Sequence, residues 1–291
     1  MWILIHGVLA LATAVVTMAA TAVAVVLGPA WWTGADIETA AGRQYRVYRP
    51  SPTTSHPGLV VDLHASHANG FLEQATSRLS GRADREGWIV AYPSSARDWQ
   101  PYGIQGGTDE VAFLAALIDQ LLDSDGIDPG RVYVVGLSRG GMQAYRVACE
   151  LSSRVAAIAV VAGNMADERG DVRATGCRPE RSVSVLAIHG TADSAVPLAG
   201  GGRFAPFSEV VALWRELDGC SADGSMTADG PSTVTHWACR DDSEVRTIVV
   251  AGAGHTWPGA PFAGLPWSPA ESLDASTAVA DFFTEHPRAG R

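Results

Sequence analysis

The chain has 291 residues, 47% hydrophobic and 18% charged, an ordinary globular composition with ample length for a full core. Its formal net charge of −10 lacks the basic footprint of a nucleic-acid binder, so no nucleic-acid partner is expected. All 21 basic residues are arginine, and there is no block of like charge, internal repeat or low-complexity tract.

The chain opens on an apolar stretch. No Asp, Glu, Lys or Arg precedes Asp36, and Trp2–Leu27 is rich in Ala, Val and Leu. The stretch is longer than the roughly 7–15 apolar residues of a signal-peptide core. It is long enough for a spanning helix of about 20 residues. It has no basic start, and Ala22-Val23-Ala24 would serve as a small-residue cleavage site. Residues 1–34 are therefore expected to be a signal peptide or an N-terminal membrane anchor, with a buried core helix as the bland alternative. Signal and anchor both export the rest, so the expected location is extracellular or in the cell envelope. Any membrane attachment would run through this segment alone.

Residues 35–291 read as one catalytic domain. Arg43–Arg49 alternates and reads as an edge strand, and Gly58–His64 as a buried strand. Phe71–Glu86 has helical spacing and ends at Gly87; Trp88–Tyr92 is a strand stopped by Pro93. Asp109–Leu122 is an amphipathic helix with Asp109 at its start. Arg131–Gly136 is a strand and Gly140–Leu151 a helix; Val155–Val161 and Val183–Ile188 are buried strands. Val210–Leu217 is a helix, Arg246–Val250 a strand and Leu273–His286 the last helix. Strands alternate with helices, and the central strands are apolar throughout. That pattern predicts an α/β fold, a mostly parallel sheet with helices on both faces.

The four cysteines, Cys149, Cys177, Cys220 and Cys239, have no metal-ligand spacing. In an exported chain their even number suggests disulfides, although four small buried side chains is the alternative. Of the three pairings, Cys220–Cys239 with Cys149–Cys177 is favoured, because the first closes a short loop.

Between the strand VYVV and the helix MQAYRVA lies Gly136-Leu137-Ser138-Arg139-Gly140. A strand, Gly-x-Ser-x-Gly and a helix form a nucleophile elbow. The turn is so tight that strand and helix approach too closely for side chains at Gly136 and Gly140. The serine oxygen then stands exposed above the sheet, and the Arg139 N–H points where an oxyanion would form. A hydroxyl needs a base, and the base an orienting acid, in the chain order Ser, Asp, His. VLAIHGTADSAVP presents Asp193 and VVAGAGHTWPG presents His255, each in a loop at a strand's carboxyl end. The second oxyanion N–H is expected from Ala65 or Ser66, in the loop after Gly58–His64. His64 is read as structural, and His67 as structural with a substrate-facing role as the alternative. A zinc site of His64, His67, His189 and Asp193 fits no metal-binding spacing, so no metal is expected.

These segments resemble the polyhydroxybutyrate depolymerase-like esterases, the α/β-hydrolases that include secreted feruloyl and acetylxylan esterases of the esterase D type. The matching pieces are FLAALIDQL, IDPGRVYVVGLSRGGMQAYRVACE, AAIAVVAG, VLAIHGTADSAVPL, VALWRELDGC, AGAGHTWPG and DFFTEHP, over about Leu63–Pro287. The resemblance implies Ser138 as nucleophile, Asp193 as orienting acid and His255 as base. It also suits the favoured disulfides and places Trp257 and Trp99 where such enzymes line an acyl or aromatic pocket. The chain departs from the family at Ala65, where members usually carry glycine. If that position needs an unusual backbone angle, alanine would strain the oxyanion loop. Arg139 stands where many members have asparagine.

The expectation is an exported serine esterase without metal or organic cofactor, acting on a small or polymeric ester. Hydroxyalkanoate oligomers, feruloyl or acetyl esters of polysaccharide and simple aliphatic esters all remain open. The alternatives are an envelope acyltransferase using the same triad and a non-catalytic hydrolase-fold binding protein.

Overall fold

The computed structural model describes residues 34–51, 54–102, 109–260 and 273–288. The expected signal or anchor lies outside the described residues. Among the described residues no helix is long and apolar enough to cross a membrane.

Ten strands form one sheet among the described residues. They are β1 (Asp36–Ala40), β2 (Arg43–Tyr48), β3 (Gly58–Leu63), β4 (Trp88–Pro93), β5 (Val132–Leu137), β6 (Ala157–Val161), β7 (Ser184–Gly190), β8 (Ser225–Asp229), β9 (Ser232–Ala238) and β10 (Glu244–Val250). Their order is β1-β2-β4-β3-β5-β6-β7-β10-β9-β8. From β4 to β10 the pairings are parallel, with antiparallel strands added at both margins. Every residue of β3, β4, β6 and β7 is buried, which is why these segments are predominantly apolar, with Asp62 and His189 as buried exceptions.

The helices are α1 (Gly70–Ser77), α2 (Ser80–Glu86), α3 (Glu110–Asp125), α4 (Arg139–Glu150), α5 (Phe207–Leu217) and α6 (Ala275–Glu285). Successive strand residues point to opposite faces, so each strand feeds two cores. Leu59, Val61, Val132 and Val134 join side chains of α3, α4 and α5 on one face. Val60, Tyr133 and Val135 join α2 and α6 on the other, where Tyr133 stacks on Phe283. The register sets several carboxyl ends level: Leu63 pairs with Gly136, Leu137 with Val161, Val161 with Ile188, and Gly190 with Val250. That row of strand ends carries the site.

Two expectations need correcting. The helix read over Phe71–Glu86 is two helices, because Arg78 takes a left-handed φ of 55° and turns the chain between them. The strand read as an edge, β2, lies inside the sheet, because β1 pairs outside it.

Both favoured disulfides are present, Cys149–Cys177 and Cys220–Cys239. Each bridge restricts the unfolded chain, so serine pairs at either one are expected to cost about 3 kcal/mol of stability, read by urea unfolding. Unchanged unfolding midpoints would contradict that contribution.

Candidate active site

Ser138 joins the end of β5 to the start of α4, with φ 55° and ψ −116°, a conformation that L-residues avoid. Two backbone bonds hold it there. Its N–H donates to the Val161 carbonyl at 2.8 Å, and its carbonyl accepts from the Met142 N–H at 2.9 Å. The glycines supply the clearance. A Cβ on Gly140 would lie 2.0 Å from the Leu63 carbonyl oxygen, and one on Gly136 would lie 2.4 Å from the Gly140 carbonyl carbon. Gly140→Ala would force α4 away from the end of β3, at an expected cost of about 3 kcal/mol or more. A thermal midpoint equal to wild type would show that this clearance is not needed.

Asp193 and His255 follow β7 and β10, and a second close approach brings their loops together. A Cβ on Gly190 would lie 2.2 Å from the Ala253 carbonyl oxygen. The Ala192 N–H donates to that same carbonyl at 2.9 Å, and the Thr191 N–H donates to Val250 at 3.0 Å. So stapled, the loops place His255 Nδ1 2.8 Å from Asp193 Oδ2 and His255 Nε2 2.8 Å from Ser138 Oγ. An ionised carboxylate can only accept, so Nδ1 carries the proton and Nε2 is left to accept from the serine hydroxyl.

Asp193 is fully enclosed by its partners. Its Oδ1 accepts the N–H groups of Ala195 at 3.0 Å and Val196 at 2.9 Å. Its Oδ2 lies 3.4 Å from His189 Nε2, a ring nitrogen that also meets the Val196 carbonyl at 2.8 Å. Burial alone would push the carboxyl up. Hydrogen bonds from His189, His255 and the Val196 N–H hold it well below the usual carboxylate range, so it stays ionised.

The loop after β3 approaches the same point, since the Gly140 Cβ position is only 2.7 Å from the His64 carbonyl oxygen. Ala65 does not take a positive φ; the left-handed residue of this loop is His67, at 59°. Alanine in place of glycine therefore strains nothing there. His64 is a brace: it receives the Ser95 N–H on Nε2 at 3.1 Å, and its Nδ1 meets the Ala65 carbonyl at 2.7 Å. Burial lowers its pKa, consistent with a neutral ring. His67 lies in the same loop.

Trp99 and Trp257, expected to line the substrate pocket, are both buried in this structure. Trp99 is 0% exposed, donates its indole N–H to the His64 carbonyl at 2.9 Å and packs against the His64 ring. Trp257 is 1% exposed and donates to Ser276 Oγ at 3.0 Å. The Arg139 side chain turns to Asp98, with Nη1 3.0 Å from Oδ2, so its charge is balanced beside the nucleophile. One helical turn beyond Ser138, a cleft is lined by Tyr102, Met142, Met165, Arg203 and Phe204. The sequence had drawn no attention to Asp98 or to this cleft, whose parts come from four separate segments.

Residues 103–226 match the phospholipase/carboxylesterase family. NocK of Nocardia uniformis subsp. tsuyamanensis, a protein named as an esterase, is 31% identical over 265 residues, covering 79% of this chain and 74% of its own. The chain belongs to this carboxylesterase family. A bifunctional acetylxylan esterase/xylanase of Neocallimastix patriciarum is 31% identical over 226 residues; the match covers 75% of this chain but 32% of the relative. Among solved structures, an acetyl xylan esterase from Aspergillus awamori shares the fold with a TM-score of 0.64 at 19% identity, covering 77% of this chain and 94% of its own. The matched part of this carboxylesterase holds Ser138 and Asp193, while Ala65, Ser66 and His255 lie outside it.

Proposed function

We propose that this carboxylesterase is an exported serine esterase in which Ser138, His255 and Asp193 form the catalytic triad. The observation that carries the reading is the continuous chain Asp193–His255–Ser138, with both links at 2.8 Å. In the reaction, Ser138 Oγ attacks the ester carbonyl carbon as His255 Nε2 takes its proton. Asp193 fixes the ring and stabilises the imidazolium. The Arg139 N–H and an N–H of the Ala65–Ser66 loop receive the oxyanion. His255 then protonates the leaving alcohol, and water cleaves the acyl-enzyme by the same steps.

The relatives' names point to acetyl or feruloyl esters of plant polysaccharide as the substrate class, and hydroxyalkanoate oligomers follow from the sequence resemblance. Two disulfides favour an oxidising compartment. The protein and its Ser138→Ala variant should be given methyl ferulate and a 3-hydroxybutyrate trimer in parallel, with the released acids quantified. Release by the wild type alone is expected. Preference for ferulate would favour polysaccharide esters, and preference for the trimer hydroxyalkanoates. No release from either, with Ser138 still labelled by a fluorophosphonate, would turn the reading toward acyl transfer; no labelling would remove the triad.

A further inference from the structure

The residue after the nucleophile carries a charge. Arg139 opens α4 directly behind Ser138. Neighbouring Cα atoms are about 3.8 Å apart, and standard bond lengths let an arginine reach about 7 Å from its own Cα. The guanidinium therefore lies within about 11 Å of the Ser138 Cα, close to the screening length of about 8–10 Å in physiological salt. An ester bound at the serine feels that charge. Arg139 Nη1 lies 3.0 Å from Asp98 Oδ2. That oxygen is shut off from water and accepts no hydrogen bond, so charge rather than an aligned N–H compensates it. The two side chains are 20% and 12% exposed, enclosed enough to be screened less than a surface pair. Among the described residues the Arg139 guanidinium has no second ion pair or hydrogen bond.

Asp98 is itself anchored. Its Oδ1 accepts the Trp99 backbone N–H at 2.9 Å, and the Trp99 indole donates to the His64 carbonyl at 2.9 Å. That carbonyl oxygen is the one 2.7 Å from the Gly140 Cβ position, in the first turn of α4. Two residues past Asp98, the Gln100 carbonyl accepts from Arg146 Nη1 at 2.6 Å, two turns along α4. The segment after β4 is thus tied both to the loop after β3 and to α4. The other cations that bond this segment are already paired. Arg43, which reaches the Ser94 carbonyl at 3.1 Å, meets Glu110 at 2.7 Å, and Arg146 meets Glu150 at 2.6 Å. In the sheet, β3 and β4 lie on one side of β5, while β7 and β10, which bring Asp193 and His255, lie on the other. Arg139 is therefore held on the flank of Ser138 away from the base. The leaving alcohol must meet His255 Nε2, which leaves that flank to the acyl group.

We propose that Asp98 is a specificity-determining residue: by neutralising Arg139 it leaves the acyl flank of the nucleophile uncharged, which suits the enzyme to esters whose acyl group carries no carboxylate. This rests on the serine-esterase reading and narrows its substrate class. Without the Asp98 charge, the guanidinium would be free to pair with a substrate carboxylate. Without the Arg139 charge, Asp98 would repel one. The two changes move the preference in opposite directions, which a loosened loop would not do.

The test measures kcat/KM for p-nitrophenyl hexanoate and for mono-p-nitrophenyl adipate, an acyl chain of the same length that ends in a carboxylate. The readout is the ratio of adipate to hexanoate. Wild type should favour hexanoate, because an uncharged flank strips water from a carboxylate without replacing it. Asp98→Asn should raise the ratio roughly tenfold, and salt near 1 M, where the screening length is about 3 Å, should remove most of that gain. Asp98→Glu keeps the charge and should keep the wild-type ratio. Arg139→Gln should lower the ratio several-fold, whatever it does to overall rate, and it decides the matter should Asp98→Asn not fold. Combining Asp98→Asn with Arg139→Gln should bring the ratio back to within about threefold of wild type. An unchanged ratio in folded Asp98→Asn, a gain that survives in the double variant, or an unlowered ratio in Arg139→Gln would sink the specificity role alone. So would a wild type that prefers the adipate. A wild type that cleaves neither ester would sink the esterase reading, and the specificity role with it.

Discussion

Ser138→Ala should lower kcat for any ester the protein hydrolyses by on the order of a million-fold, while the fold survives. The side chain removed is one oxygen, and its recorded partner is His255 Nε2, at 2.8 Å. The backbone bonds that set the elbow, to Val161 and Met142, do not involve the side chain. The thermal midpoint should therefore move by no more than a few degrees. Labelling by a fluorophosphonate should disappear along with turnover. A variant that keeps more than a per cent of wild-type activity would mean that another group attacks the ester.

Asp193→Asn should cost ~10⁴-fold in kcat, because the surroundings of this carboxyl force the histidine into the wrong tautomer. Two N–H donors, from Ala195 and Val196, converge on Oδ1. The asparagine carbonyl must take that position, which leaves its NH₂ at the site of Oδ2, 2.8 Å from His255 Nδ1. Donating there, the amide would put the imidazole proton on Nε2, and His255 could no longer accept from Ser138. The substitution changes almost no volume, so stability should change far less than rate. If Asp193→Asn retained a tenth of wild-type kcat on p-nitrophenyl acetate, Asp193 would not be the orienting acid.

Much of this was legible in the sequence, and the parts that were not share a cause. The parallel strands announced themselves because burial on both faces requires unbroken apolar runs. The strands at the margins did not. β8 is exposed at every residue, and β1, DIETA, is mostly exposed, so neither carries a hydrophobic period to read. The break at Arg78 was hidden because arginine carries no turn signal, unlike the glycine that ends α2.

The site divides in the same way. Ser138, Asp193 and His255 could be named because each follows a recognisable strand, in a fixed order, among glycines that chain geometry demands. Only the tertiary structure decided that their side chains meet, since that depends on the sheet register and on the contact of Gly190 with Ala253. An aromatic residue in a loop looks the same in sequence whether it is exposed or enclosed, so the burial of Trp99 and Trp257 was visible only in the fold. The aspartate inside GLVVDLH passed as part of a buried strand, and only the structure shows its carboxyl fully enclosed. Glu73, whose carboxyl is pushed up by burial and by the Asp62 charge, lies on another element, and a local pattern carries no information about which buried groups folding brings near one another.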